Sequence, residues 1–377
     1  MKIVCDDKIP FLKGVFEPYA EVVYLPGAAI CAADVRDADA LVVRTRTRCG
    51  RALLEGSSVR VIASATIGYD HIDTAYCEAH GIEWANAPGC NSGSVAQYVG
   101  SALGVLAKKF GLDLSALTLG IVGVGHVGSK VARLAQALGM RVLLNDPPRA
   151  LAEGPFLSVP GLDSPAPHND LDKLIAGADI ITLHVPLDSS TRYLFDAARI
   201  ASLRPDQILI NTSRGEVVCG DALKAALKGG RLKAAVLDVW ENEPNIDPEL
   251  AELAEIATPH IAGYSTDGKA AGATAAVRVL ARSLGLSALY DWSVRLPVAA
   301  GNDASVMPDS PDRVMPDSPD RVLPDSPDRV MPDNGPVMPD LIGHLYRPYD
   351  ILRDSAALKS DLSSFEHLRE SYPIRRE

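Results

Sequence analysis

"LGIVGVGHVGSKVARLAQALG", residues 119–139, passes from an apolar strand pattern to a helical one through Gly123, Gly125 and Gly128 in GxGxxG spacing. In that spacing the first glycine permits a tight turn, the second lets the backbone approach a pyrophosphate, and the third lets helix and strand pack closely. The helix that follows opens at His126 and Val127, and its first amides face the phosphates. The next strand, "RVLLND", ends in Asp146, 18 residues beyond Gly128, where a carboxylate accepts from ribose hydroxyls and repels a 2′-phosphate. The signature predicts NAD rather than NADP; Arg149, three residues on, works against that preference.

Working outward, the strand-like runs "ADIITLHVP", "DQILINTS" and "LKAAVLDVW" alternate with helical stretches such as "DALKAALKGG". This is the layout of an open doubly wound sheet, whose ligand lies beyond the carboxyl ends of the strands. Upstream, "KIVC", "AEVVYL", "ALVVRT" and "VRVIASAT" alternate with segments such as "DTAYCEAHG" and predict a second parallel sheet covered on both faces. Long helices are predicted at Ser94–Gly111, as a connector, and at Ser265–Leu286, as a return to the first domain. The expected fold is α/β with two doubly wound domains. Residues 1–100 and 265–290 form a discontinuous substrate domain, 101–264 a Rossmann domain, and 291–377 a small C-terminal α+β module.

Within that module "VMPDSPDR" at 306–313 recurs and then decays, ending at Asp340. A Pro/Asp/Ser repeat lacks the apolar groups and backbone donors for a packed core, so Val306–Asp340 reads as an extended insert. "LIGHLYRPYDILRDSAAL" and "SSFEHLRESYPIRRE" regain helical periodicity.

The net charge of −11 offers nucleic acid or an anionic membrane no general attraction, so an anionic substrate must be met by local donors. Cysteines at 5, 31, 49, 77, 90 and 219 form no CxxC pair and no zinc-ligand spacing; they read as free thiols of a reducing compartment, and no metal is expected. With no signal stretch at "MKIVCDDKIP" and no apolar run of membrane-spanning length, the expectation is a cytoplasmic protein without a membrane partner.

Three polar residues fall where successive strands of the second sheet should end: Arg214 in "INTSRGEVV", Glu243 in "DVWENEP" and His260 in "TPHIAG". Removing the hydroxyl proton of a 2-hydroxy acid while hydride leaves C2 suits a histidine. A neighbouring carboxylate would fix its tautomer, and a guanidinium would hold the substrate carboxylate in bidentate fashion. Taken singly, each has an ordinary reading: Arg214 a solvated loop charge, Glu243 a helix-start charge, His260 a strand-end histidine. The joint pattern favours chemistry.

Through "GIVGVGHVG", "LHVPL", "INTSRGEVV", "DVWENEP" and "TPHIAG" the chain resembles the D-isomer-specific 2-hydroxyacid dehydrogenases. Within that family "SATIGYDHID", "APGCNSGSVAQYV" and "HIAGYSTDGKA" resemble a branch that oxidises 4-phospho-D-erythronate with NAD in vitamin B6 synthesis, so the implied partner is a small phosphorylated 2-hydroxy acid. The resemblance implies Arg214, Glu243 and His260 as active-site residues. It implies Asp146, Val185, Thr212, Ser213, Asp238 and Gly263 as cofactor contacts, and Thr45, Thr66 and Tyr264 as substrate contacts. Arg44 joins Thr45 as a phosphate-facing pair; alternatively Arg44, Arg46 and Arg48 share one solvated face of a strand. In relatives the C-terminal module pairs subunits, which implies a homodimer, although this chain stops at "RRE" before the family's final segments. Phosphoglycerate dehydrogenase, glyoxylate/hydroxypyruvate reductase and an NAD(H)-sensing interaction protein are the competing readings.

Overall fold

The computed structural model describes residues 1–162, 164–296 and 350–372; the Pro/Asp repeat and most of the expected C-terminal module lie outside them. The described chain forms two compact units, one of residues 1–90 with 269–296, the other of residues 91–268 with 350–372.

In the first unit, β1 (Lys2–Asp6), β2 (Glu21–Leu25), β3 (Ala40–Val43), β4 (Val61–Ser64) and β5 (Glu83–Ala85) form a sheet of order β2-β1-β3-β4-β5. All its pairings are parallel. β3 and β4 are buried throughout, as continuous apolar runs in a sheet covered on both faces must be. Alternate residues serve opposite faces: Ile3, Cys5, Ala40 and Val42 join one apolar cluster, Val4, Leu41 and Val43 the other. Burial pushes the Cys49 thiol up to about 12, and all six cysteines are free.

The second unit contains β6 (Thr118–Val122), β7 (Arg141–Asn145), a short antiparallel pair β8 (Phe156–Leu157) and β9 (Ala166–Pro167), then β10 (Ile180–Leu183), β11 (Ile208–Asn211), β12 (Ala234–Leu237) and β13 (Ile256–Ala257). Its parallel six-stranded sheet runs β13-β12-β11-β10-β6-β7. The chain order reverses between β6 and β10, the switch point at which such sheets bind ligands. The glycine turn follows β6 there.

Helix α1 (Ser92–Phe110) ends at Gly111, whose φ of +61° closes the helix in the left-handed region. Its residues Val95, Tyr98, Val99, Ala102, Leu103 and Leu106 share one core cluster with Leu119 and Ile121 of β6. The helix expected to connect the domains therefore belongs to the second unit, and the boundary expected near residue 100 falls at 90/91, because its apolar face is spent on the second sheet. α2 (His126–Ala137) follows the glycine turn, and α3 (Thr266–Leu284) sends Ala273, Ala276, Val277 and Leu280 into the first unit's core.

The described C-terminal residues belong to the second unit. They form helices α4 (Ile351–Ser360) and α5 (Phe365–Glu370), which pack into that unit's core. Leu358 and Phe365 are buried in the cluster lined by Leu209, Leu237 and Ala257, and Ser355 Oγ accepts from Ala257 N at 3.0 Å. Among the described residues no helix is long and apolar enough to cross a membrane.

Replacing Phe365, 1% exposed, by Ala is expected to lower the unfolding free energy of the full chain by about 3–5 kcal/mol in urea titrations. A loss below about 1 kcal/mol would show that α5 does not complete this core.

Candidate active site

The three glycines of the switch-point turn have distinct steric causes. A Cβ on Gly123 (φ +86°) would run into the His184 carbonyl, and one on Gly128 into the Gly123 carbonyl, so both are fixed by packing. A Cβ on Gly125 would meet nothing within 4 Å, so the missing side chain leaves backbone amides open to a ligand. His126 is exposed at the start of α2, and Val127 packs against the core cluster beneath.

Asp146 caps the helix after β7, accepting from Arg149 N at 3.1 Å, and its other oxygen accepts from Val124 N at 2.8 Å. The carboxylate is thus pinned beside the glycine turn. The Arg149 guanidinium is committed elsewhere, to Glu153 at 2.6 and 2.8 Å, Val124 O at 2.7 Å and Ser158 O at 2.6 Å. The one cation that argued for a 2′-phosphate is therefore occupied. An open glycine turn and a fixed acid at the end of β7 fit NAD.

Beyond β10, His184 bonds Thr182 Oγ1 at 3.0 Å and Thr212 Oγ1 at 3.3 Å, and burial pushes its imidazole down to about 3, which keeps it neutral. Val185 is half-buried and packs against the core. After β11, Asn211 Oδ1 accepts from Ser213 N (3.1 Å) and Ser213 Oγ (2.8 Å), and Asn211 Nδ2 donates to Arg214 O (2.9 Å). Asn211 thus folds the "NTSR" turn, and Arg214 leaves it half-buried, with Nη1 donating to Ser213 O at 2.8 Å.

After β12, Asp238 is 1% exposed, and its oxygens accept from Thr258 Oγ1 (2.7 Å), Ile261 N (2.8 Å) and Ala262 N (2.9 Å). Burial pushes this carboxyl up, against the opposing pull of His260 and these donors. Three donors of the 258–262 turn thus converge on Asp238 from inside the protein. Its backbone carbonyl also accepts from His260 N at 2.7 Å. His260 is held at φ +57°, a conformation costly for any residue with a Cβ, and these bonds offset that cost.

Held this way, His260 Nδ1 meets Glu243 Oε2 at 2.8 Å, and Glu243 Oε1 accepts from Trp240 N at 3.0 Å. Burial alone would raise the Glu243 carboxyl, but His260 and Arg369 outweigh it and hold it below the ordinary glutamate range. An ionised carboxylate only accepts, so Nδ1 carries the proton and Nε2 keeps its lone pair. Arg369, on α5, lies 3.6 Å from the same Glu243 oxygen and hydrogen-bonds Tyr264, whose ring stands edge-on to Tyr372 at 6.3 Å. Gly263 abuts the Asn91 side chain, which a Cβ would strike. Nothing in "FEHLRESY" marks Arg369 as belonging here, since its spacing is that of an ordinary amphipathic helix.

The first unit carries the remaining candidates. Pairing of β3 with β4 ends at Val43↔Ser64, and residues 44–48 turn away, tied by Thr47 Oγ1 to Gly27 O at 2.9 Å. Arg44, Arg46 and Arg48 therefore do not line one face of a strand. Arg44 binds the fully buried Asp6 at 3.1 and 3.2 Å, Thr45 is half-buried in the turn, and Thr66 Oγ1 bonds Ser64 Oγ (2.8 Å) and Gly68 O (3.1 Å). On α3, Lys269 faces the Arg44 charge; burial, with that charge, pushes its ammonium down to about 8.

Residues 100–262 match the family described as "D-isomer specific 2-hydroxyacid dehydrogenase, NAD binding domain". Over its whole length the chain is 44% identical to the erythronate-4-phosphate dehydrogenase of Bacteroides thetaiotaomicron, covering 97% of that protein. It is 42% identical to the enzyme of that name from Ectopseudomonas mendocina, covering 93% of it. Among solved structures, D-lactate dehydrogenase from Aquifex aeolicus, complexed with NAD and lactic acid, is similar with a TM-score of 0.65 at 26% identity, over 77% of this chain and 97% of that one. NAD-bound 3-phosphoglycerate dehydrogenase from Entamoeba histolytica follows at 0.62 and 25%, over 78% and 99%.

Asp146→Ala is expected to weaken NAD binding about 10-fold or more, since a hydrogen bond to a charged group contributes about 1.5 kcal/mol or more. Calorimetric titration measures this, and an unchanged Kd would remove Asp146 from the ribose.

Proposed function

The chain belongs to the D-isomer specific 2-hydroxyacid dehydrogenase family, and on that premise we propose that it oxidises 4-phospho-D-erythronate at C2 to the 2-oxo acid. The observation that carries this reading is the 2.8 Å bond between His260 Nδ1 and an ionised Glu243, which leaves Nε2 as a base. The whole-length likeness to two enzymes named for erythronate 4-phosphate selects the substrate.

NAD, held by the Gly123–Gly128 turn and Asp146, supplies the acceptor for the hydride that leaves C2. His260 Nε2 takes the C2 hydroxyl proton as the C–H bond breaks and the carbonyl forms. Glu243 keeps the ring in the required tautomer and stabilises the imidazolium that results. Arg214 holds the substrate carboxylate with two parallel donors. Tyr264 contributes a hydroxyl to the substrate, while Thr212, Ser213, Val185 and Gly263 shape the cofactor side. Thr66 contacts the substrate, and Arg44 and Thr45 recognise the phosphate ester; the latter role is supported by the proximity of the Arg44 and Lys269 charges, which a dianion would relieve. The reading includes a cytoplasmic location, supported by six free thiols, and a homodimer paired through the C-terminal part of the chain.

His260→Asn is expected to lower kcat by at least about 10²-fold while leaving the Kd for NAD within about twofold. Rates of NADH formation with 4-phosphoerythronate, 3-phosphoglycerate and glycerate test the substrate. A preference for phosphoglycerate would retain the family and refute the substrate, and indifference of all three rates to His260→Asn would favour an NAD(H)-sensing protein.

A further inference from the structure

Glu243 Oε2 receives two groups: His260 Nδ1 at 2.8 Å and Arg369 Nη1 at 3.6 Å. We propose that Arg369 is a positioning residue of the site, holding the Glu243 carboxylate and the Tyr264 hydroxyl in place and drawing part of the carboxylate's charge away from His260. This inference rests on the dehydrogenase reading of the His260–Glu243 pair.

The placement of Arg369 is hard to account for by folding alone. Its side chain is 11% exposed, and among the described residues its Nε–H finds no acceptor. A buried ion pair of this kind is often matched or exceeded in stability by an apolar side chain of similar volume. A methionine would fill the position without leaving a donor unmet. The guanidinium nevertheless sits between two site residues, delivered there by α5, which Phe365 anchors in the core. Tyr264 also packs nearly perpendicular to the ring of Tyr372, whose hydroxyl donates to Asp354 Oδ2 at 2.9 Å.

The electrostatic consequence has a definite sign. The groups facing His260 are Glu243 at its Nδ1, buried Asp238 beneath its turn, and Arg369 beyond Glu243. Both carboxylates favour the imidazolium, and Arg369 opposes it by sharing Glu243. Because Arg369 shares the Glu243 oxygen that His260 Nδ1 meets, the carboxylate presents less of its charge to the ring, which suits a group that must take a proton in one direction and return it in the other. The guanidinium charge, with Nη1 3.6 Å from Oε2, also favours this placement of Glu243, and through it the orientation of the ring.

The test follows the His260 ring by NMR in the NAD-free full chain across pH, for the parent, Arg369→Met and Arg369→Lys. The methionine variant should raise the His260 midpoint by about half a unit or more, and the lysine variant should stay near the parent. In turnover, Arg369→Met should move the acidic limb of kcat/KM upward by the same amount and lower kcat about 10-fold, with the Kd for NAD unchanged; Arg369→Lys should restore the limb but only part of kcat. A methionine variant whose midpoint stays within about 0.2 unit of the parent overturns the proposal. Should that variant not fold, Arg369→Gln against Arg369→Lys decides the same question, and equal midpoints refute it. If the parent oxidises none of the three acids, the functional reading fails, while the titration still decides whether Arg369 sets the charge on His260.

Discussion

Asp238 stands at the end of β12 with its two oxygens bound to the Thr258 hydroxyl and the amides of Ile261 and Ala262, and its own carbonyl takes the amide of His260. A carboxylate buried this deeply is tolerable only when donors surround it, and here the donors all come from one turn. That turn forces His260 into the left-handed region and aims its ring at Glu243. The rest of the site depends on this arrangement. Without it the imidazole would have no fixed tautomer, and the adjoining Tyr264 would have no fixed start to its chain path.

Much of this was legible in the residues themselves. Strands buried on both faces carry mostly apolar runs, so "ALVV", "IITL" and "ILIN", polar only at Thr182 and Asn211, point to a covered parallel sheet. Since consecutive strands β11, β12 and β13 are neighbours, the segments that follow them leave one edge of the sheet together, and there Glu243 and His260, 17 residues apart in sequence, meet at 2.8 Å. The glycine signature worked because two of its three glycines are imposed by backbone clashes that any larger residue would create.

Other features lacked a local signature. The alternation of Arg44, Arg46 and Arg48 has the period of a strand, but the chain turns once pairing with β4 stops and Thr47 bonds the Gly27 carbonyl, a contact between distant segments. α1 looked like a connector because it is apolar nearly all round; only the packed structure reveals which sheet it covers. Asp238 gives no local sign of its three internal donors, which the 258–262 turn brings to it from 20 to 24 residues along the chain. Arg369 was invisible for the same reason: its partners lie on the other side of a long stretch of chain.

The C-terminal helices have a consequence for how the molecule is made. Leu358 and Phe365 fill the same cluster as strands laid down much earlier, so the second unit cannot finish its interior while the ribosome is still translating those codons. A nascent chain that has already formed the six-stranded sheet must wait with an apolar recess uncovered, a state prone to sticking to its neighbours. Protection of that recess from its neighbours would then arrive only once these two helices have left the ribosome.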